Sequence, residues 1–232
     1  MTNRQLIVNA DDLGLSAGVN LGIVEAHEQG IVTSASLMVR QPAAGAAARS
    51  AARLPRLDVG LHIDLGEWFF ADGQWHARNE RVDMGDVEAV YAEVRAQLDA
   101  FIRLVGRAPT HIDSHQHVHS REPAAGAVSA IGSRIGVPVR HADPRLKYCG
   151  EFYGQSETGE PDSERITPSF LVSLIEALPE GTTELCCHPA AVVDVDTTYA
   201  VERTVELGSL CNPVVRHALE RADVRLVSRK PA

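Results

Sequence analysis

The chain has 232 residues, of which 44% are hydrophobic and 23% charged, with a net charge of −9. That length supports a substantial core, and residues 1–232 are read as one domain. The acidic balance argues against nucleic acid and anionic membrane as partners, because both call for basic patches.

Residues 5–9 read as a first strand, ending in Ala10-Asp11-Asp12-Leu13-Gly14. Ser16 is placed to cap the following helix, in which Val19, Ile23, Val24 and Ala26 face inward and Gly30 closes the element. A second strand is expected over 32–39, an Ala-rich helix over 43–53, and a third strand over 57–63 that runs out through His62 and Asp64. Val87, Val90, Tyr91, Val94, Leu98, Ile102 and Val105 recur at helical spacing, which predicts an amphipathic helix over 86–105. There follow a His-rich strand, a helix over about 121–135, a short strand at 137–140, a helix near 168–178 and a strand over 183–188. A helix through Val215 and Leu219 and a strand near 224–227 complete the chain. Residues 67–81 and 144–165 read as long loops, which inside a compact domain are usually binding loops or lids.

Strands separated by helices imply βαβ units and a parallel sheet. About seven strands are counted, so the expected fold is α/β, a single-domain distorted (β/α) barrel resembling a TIM barrel. The polar clusters fall at the C-terminal ends of these strands: Asp11 and Asp12, His62 and Asp64, His115 to His119, Arg140, and His188. In a parallel barrel those ends converge on the face where active sites form.

The stretch from Pro109 to His119 holds four of the ten histidines. Read as a strand, it sends His111, Asp113, His115, His117 and His119 to one face. Ionisable groups so placed resist burial, and a divalent metal is the simplest thing that would hold them together. Of the adjacent aspartates, one can ligate a metal while the other acts as a base, although Asp before a helix is also an ordinary cap. A site with an open position acidifies bound water and polarises a carbonyl. His188 precedes Pro189, which restricts it to extended backbone; chemistry alone leaves it equally a core residue or a catalytic one. Cys149, Cys186, Cys187 and Cys211 show no C-x-x-C spacing and are expected as reduced thiols, the adjacent pair serving packing. No apolar run reaches membrane-spanning length and no signal-peptide core opens the chain, so a cytoplasmic location is expected.

In order along the chain, Leu6 to Ser16, Gly30 to Ser34, Gly60-Leu61-His62, Pro109 to His119 and Cys187-His188-Pro189-Ala190 resemble the YdjC family of carbohydrate deacetylases, which includes chito-oligosaccharide deacetylases. The resemblance implies an incomplete (β/α) barrel that binds one divalent cation, Mg2+ or Zn2+, and removes an N-acetyl group from an amino sugar by attack of metal-bound water. It implies Asp12, His62 and His115 as metal ligands, Asp11 as general base, and His188 as the acid or the group stabilising the tetrahedral intermediate. Asp64, His117, His119, Arg140 and Trp68 are the candidate substrate contacts, with His119 also a reserve ligand. Trp68, Phe69, Phe70 and Trp75 offer a stacking face for a sugar ring, or equally a seal for the barrel mouth. The commoner family form has His where this chain has Gln116, a position that alternation turns away from the site. Residues 67–81 are short beside the oligosaccharide-active members. The expected partner is a small-molecule or oligosaccharide substrate, and resemblance suggests a homodimer. The alternatives are a metal-dependent hydrolase or lyase on another small carbohydrate, and a non-catalytic metal- or sugar-binding relative. Scarce Lys and the lack of a Gly-rich phosphate loop weigh against phosphoester chemistry, while the intact set of Asp11, Asp12, His62 and His115 weighs against a decayed site.

Overall fold

A computed structural model describes residues 3–229. Seven strands run parallel in one curled sheet: β1 (Arg4–Leu13), β2 (Ser34–Leu37), β3 (Asp58–Ile63), β6 (Ile112–Ser114), β7 (Leu146–Cys149), β8 (Gly181–Cys187) and β9 (Val224–Leu226). The path is β6-β3-β2-β1-β8-β7, and β9 pairs with the first residues of β1, from Arg4 to Leu6, before β2 joins at Asn9. Strands β2 and β3 are buried along their whole length, as expected when helices cover one face and the barrel interior the other. The outcome is the incomplete (β/α) barrel expected from the sequence.

The helices begin where the sequence supplies caps. Ser16 Oγ accepts from Val19 N at 3.1 Å to start α1 (Ala17–Glu28), and Asp86 accepts from Ala89 N to start α3 (Val87–Val105). Gly106 closes α3 at φ 78°, a left-handed position that favours glycine. On α3, Val90, Val94, Leu98 and Phe101 are buried against the sheet, each contributing about 1.5–3 kcal/mol of transfer free energy. The helices α2 (Ala44–Ala51), α4 (Ala124–Ile135), α5 (Pro168–Glu176) and α7 (Pro213–Arg221) fall where the apolar spacing places them.

Five sequence expectations need correction. Residues 67–81 are not a loop: β4 (Gly66–Ala71) and β5 (Gln74–Glu80) form an antiparallel hairpin. Its two-residue turn is Asp72-Gly73, with φ of 52° and 77°, the Asp-Gly signature of a tight hairpin whose twist matches its strands. Strand β6 stops at Ser114, and residues 115–120 form a tight helical turn with Gln116 and His117 at positive φ, so alternation does not extend to His119. The strand expected at 137–140 is a single bridge between Ile112 and Val139. Strand β7 arises inside the loop expected over 144–165, and helix α6 (Glu202–Leu210) forms where none was assigned.

Candidate active site

The C-terminal ends of β1, β3 and β8 and the turn after β6 open into a cleft of about 1130 Å³, slightly above the ~300–1,000 Å³ usual for ligand sites. Its floor carries Asp11, Asp12, His62, His115, Cys186 and His188. Strand β1 breaks register between Ala10 and Leu13, and Asp12 sits at φ 66°. This left-handed step at the strand end lets two consecutive aspartates both face the cleft, in a conformation a non-glycine residue holds only when its surroundings enforce it.

The two aspartates are then separated by their partners. Asp11 accepts two hydrogen bonds from Arg140, both at 2.7 Å. Burial pushes its carboxyl up, but the guanidinium more than offsets this and holds it well below the usual carboxylate range. Arg140 also meets Asp113 and Glu184, each at 2.8 Å. Asp12 is likewise drawn far below its ordinary value, against its burial, by Arg203 and His115. Its Oδ2 accepts from Arg203 at 2.7 Å. Its Oδ1 faces His115 Nδ1 at 3.0 Å and His62 Nε2 at 3.3 Å.

His62 is gripped from behind by Asp113, with Nδ1 and Oδ1 2.7 Å apart. Burial would lower its pKa, but Asp113 and Asp11 raise it to about 10. Gly60, two residues earlier on β3, is needed here because a Cβ would lie 2.3 Å from the His111 ring. His111 itself is buried below the floor and meets Ser36 Oγ at 3.1 Å; burial lowers its pKa to about 3, so it is a neutral core residue.

Donor atoms of Asp12, His62 and His115 lie within 4.8 Å of one another. One carboxylate and two imidazoles, with a carboxylate behind one ring to fix its orientation, match the donor set and outer support of a catalytic divalent cation. His188 stands beside this trio. Its Nε2 is 3.8 Å from Cys186 Sγ, its Nδ1 has no hydrogen-bond partner among the described residues, and its ring meets Tyr153 and Tyr199 edge-on. Burial raises the Cys186 and Cys187 thiols well above their ordinary value, so neither is a thiolate nucleophile. All four cysteines are free.

The family-level assignment rests on sequence. The YdjC-like protein family matches residues 5–221. The chain belongs to the YdjC family. A carbohydrate deacetylase of Geobacillus stearothermophilus is 35% identical over 97% of this chain and 96% of its own length. A chitooligosaccharide deacetylase of Serratia marcescens is 32% identical over 93% and 94%. Among solved structures, a protein of Enterococcus faecalis named for cellobiose-phosphate cleavage superposes with a TM-score of 0.78 at 26% identity, covering 98% of both chains. A family 4 carbohydrate esterase from Streptomyces lividans, with a TM-score of 0.58 at 11% identity over 98% and 94%, shares the fold.

For this YdjC chain the structure brings Asp11, Asp12, His62, His115 and His188 together, with Trp68 and His117 on the cleft wall. It does not bring Asp64, His119 or Arg140 to the cleft. Asp64 is spent on Gln41, Arg81 and the Gly66 amide. Arg140 is buried and saturated by three carboxylates. His119 turns away from the Asp12 group because the chain leaves β6 at Ser114. Sequence reading missed Arg203, Tyr153 and Tyr199, and Glu206, which lies behind His188: its carboxylate accepts from the Tyr199 hydroxyl and sits 3.7 Å from His188 Nδ1. Arg203 and Glu206 lie on the unassigned α6, and no local motif marks them. Gln116 was expected to face away from the site, but with alternation ended at Ser114 it lines the cleft, where its amide pairs with both backbone polar groups of Trp68, at 2.8 and 2.7 Å. No helix among the described residues is long and apolar enough to cross a membrane.

Proposed function

We propose that this protein removes the acetyl group from an N-acetylated amino sugar, a chito-oligosaccharide or a close relative, with one divalent cation held by Asp12, His62 and His115. The enzyme is a deacetylase hydrolase of the YdjC family, like its named relatives. The observation that supports this reading best is the joining of a carboxylate–imidazole trio to a separate, arginine-held carboxylate at the floor of one cleft. When bound, the cation would supply Lewis-acid polarisation of the acetamide carbonyl and acidify a water.

The chain's own groups account for the rest. Asp11 is ionised at every working pH and takes the proton from the attacking water. Arg140 keeps that carboxylate aimed and makes its protonated state short-lived, so the proton moves on towards the departing amine. His188 donates from its ring to the developing oxyanion or to the amine nitrogen. Arg203, the Asp12 carboxylate's second partner, keeps Asp12 from rotating out of the trio. The hairpin places Trp68, Phe69, Phe70 and Trp75 on the cleft wall as an apolar platform for sugar rings.

The decisive experiment is acetate release from N-acetylglucosamine, diacetylchitobiose and longer oligomers by metal-stripped protein reloaded with zinc, magnesium or cobalt. Release restored by metal supports the reaction and ranks the substrates; no release from metal-loaded protein sinks it. A second reading, hydrolysis of a phosphorylated disaccharide, draws on the name of the Enterococcus protein and on Arg121 and Arg165 at the cleft wall. Release of a monosaccharide and a sugar phosphate, rather than acetate, would select it.

A further inference from the structure

Beside the Asp12 trio stands a second cluster of histidines that the proposed reaction does not use. His117, His119 and His141 each offer a ring nitrogen, and these nitrogens lie within 4.8 Å of one another. We propose that these three residues form a second metal site, selective for a transition-metal dication of the zinc type.

Three observations converge on it. His119 is 6% exposed and its Nε2 has no hydrogen-bond partner among the described residues. An orphaned buried ring nitrogen calls for an explanation, and a missing ion is one. Its other nitrogen, Nδ1, meets Ser114 Oγ at 2.6 Å. With the proton on Nδ1, that contact leaves the Nε2 lone pair free and fixes the ring, as outer partners of zinc-bound histidines do. His141 Nε2 and His117 Nδ1 lie 3.2 Å apart. Two nitrogens on one tetrahedral zinc, at Zn–N of about 2.0–2.1 Å, are about 3.3 Å apart, so this pair already has the spacing of co-ligands. Without metal the two nitrogens must share one proton; a cation would replace it.

The backbone agrees with the side chains. His117 and His141 sit at φ of 52° and 67°, so two separate segments are turned through the left-handed region to bring these rings together. Nearby positive charge is already neutralised, because Arg140 is paired with Asp11, Asp113 and Glu184. The remaining close group, Tyr148, meets His117 Nε2 through its hydroxyl at 3.2 Å. An all-imidazole set favours zinc, nickel or copper over magnesium, which prefers oxygen donors. The two sites therefore differ in kind: the Asp12 group accepts a harder ion, the histidine group does not. Because His117 lines the cleft while His119 and His141 stand behind it, an ion here would lock one stretch of the cleft wall.

The test is zinc stoichiometry of the full-length chain, by equilibrium dialysis against micromolar zinc with metal counted by mass spectrometry. The wild type and the H141A and H62A variants would be compared. His141 is exposed, so H141A removes a ligand without opening the core. The expected result is about two zinc ions per chain in the wild type, falling to about one in H141A through loss of the histidine-only site. In H62A the ion lost should be the other one. Cobalt substitution adds a readout independent of activity, since the visible spectrum of H141A should lose one of two components. Equal zinc content in the wild type and H141A would overturn the proposal, as would a wild type whose zinc is abolished entirely by H62A. A single zinc lost in H141A and retained in H62A would uphold this site and count instead against zinc at the Asp12 trio.

Discussion

At the floor of the cleft, Asp11, Asp12 and His62 are at most 3% exposed; Asp11 is clamped by two bonds from Arg140, and Asp12 and His62 each meet two or more charged or titratable groups. Across the cleft, the β4–β5 hairpin carries Trp75 at 55% exposure and, among the described residues, pairs only with itself. Its ties to the body are polar and peripheral: the Gln116 amide clasps Trp68, Thr197 donates to Glu67 at 2.9 Å, Arg78 pairs with Asp196, and the adjoining Arg81 meets Asp64. The floor grows out of the central strands of the sheet, whereas the hairpin is an insertion between β3 and α3. Groups that must hold a cation and move a proton are fixed within fractions of an ångström by a rigid frame. A surface that selects among sugars is left where its side chains can change without disturbing that frame.

The sharpest way to break the floor is Asp11→Asn. The amide keeps the shape but cannot accept the proton, so acetate release should fall by about 10²–10⁴-fold, with metal content unchanged by mass spectrometry. Unaltered turnover would remove Asp11 from the reaction.

Next in size is Arg140→Met. It leaves the Asp11, Asp113 and Glu184 carboxylates buried together without their shared cation, and urea unfolding should show a loss of about 3–5 kcal/mol. A loss near zero would mean that the network relaxes by taking up protons.

Cation uptake at the trio should be steeply dependent on pH. In the metal-free protein His62 is raised to about 10 and is therefore protonated at neutral pH. That raised value stabilises the metal-free fold fully below the unfolded-state value of about 6.5, and the stabilisation is lost as pH rises through 10. Binding must expel this proton, so affinity should increase by about tenfold per pH unit until His62 deprotonates. Calorimetry in buffers of differing ionisation heat would count the proton; no release at neutral pH would show that His62 is already neutral.

The smallest effect belongs to the hairpin. Gln116→Ala removes two hydrogen bonds, worth about 0.5–1.5 kcal/mol each, and frees the wall rather than the floor. KM for oligosaccharides should rise several-fold with kcat nearly constant. A kcat loss matching that of Asp11→Asn would show that the two regions are not separable.

Much of this protein was legible in its sequence because the signals are local. Ser16 and Asp86 cap helices within three residues of themselves, and the apolar spacing along α3 reports its buried face directly. The resemblance of the Asp11-Asp12, Gly-Leu-His, Asp-Ser-His and Cys-His-Pro motifs to one family placed every cleft-floor residue proposed for the chemistry. The Asp72-Gly73 turn was equally local and would have revealed the hairpin. What the tertiary structure alone decided are partnerships between distant segments. Arg140 reaches Asp11 across 129 residues and Arg203 reaches Asp12 across 191. No periodicity marks such pairs, because an arginine looks alike in sequence whether it is solvated or buried. Which face His117 and His119 present was likewise undecided by sequence, since two left-handed residues after Ser114 are enough to cancel alternation. A period of two holds only while the chain stays extended, and the contact that ends it, from Gln116 to the backbone of Trp68, exists only once the hairpin has folded against the barrel.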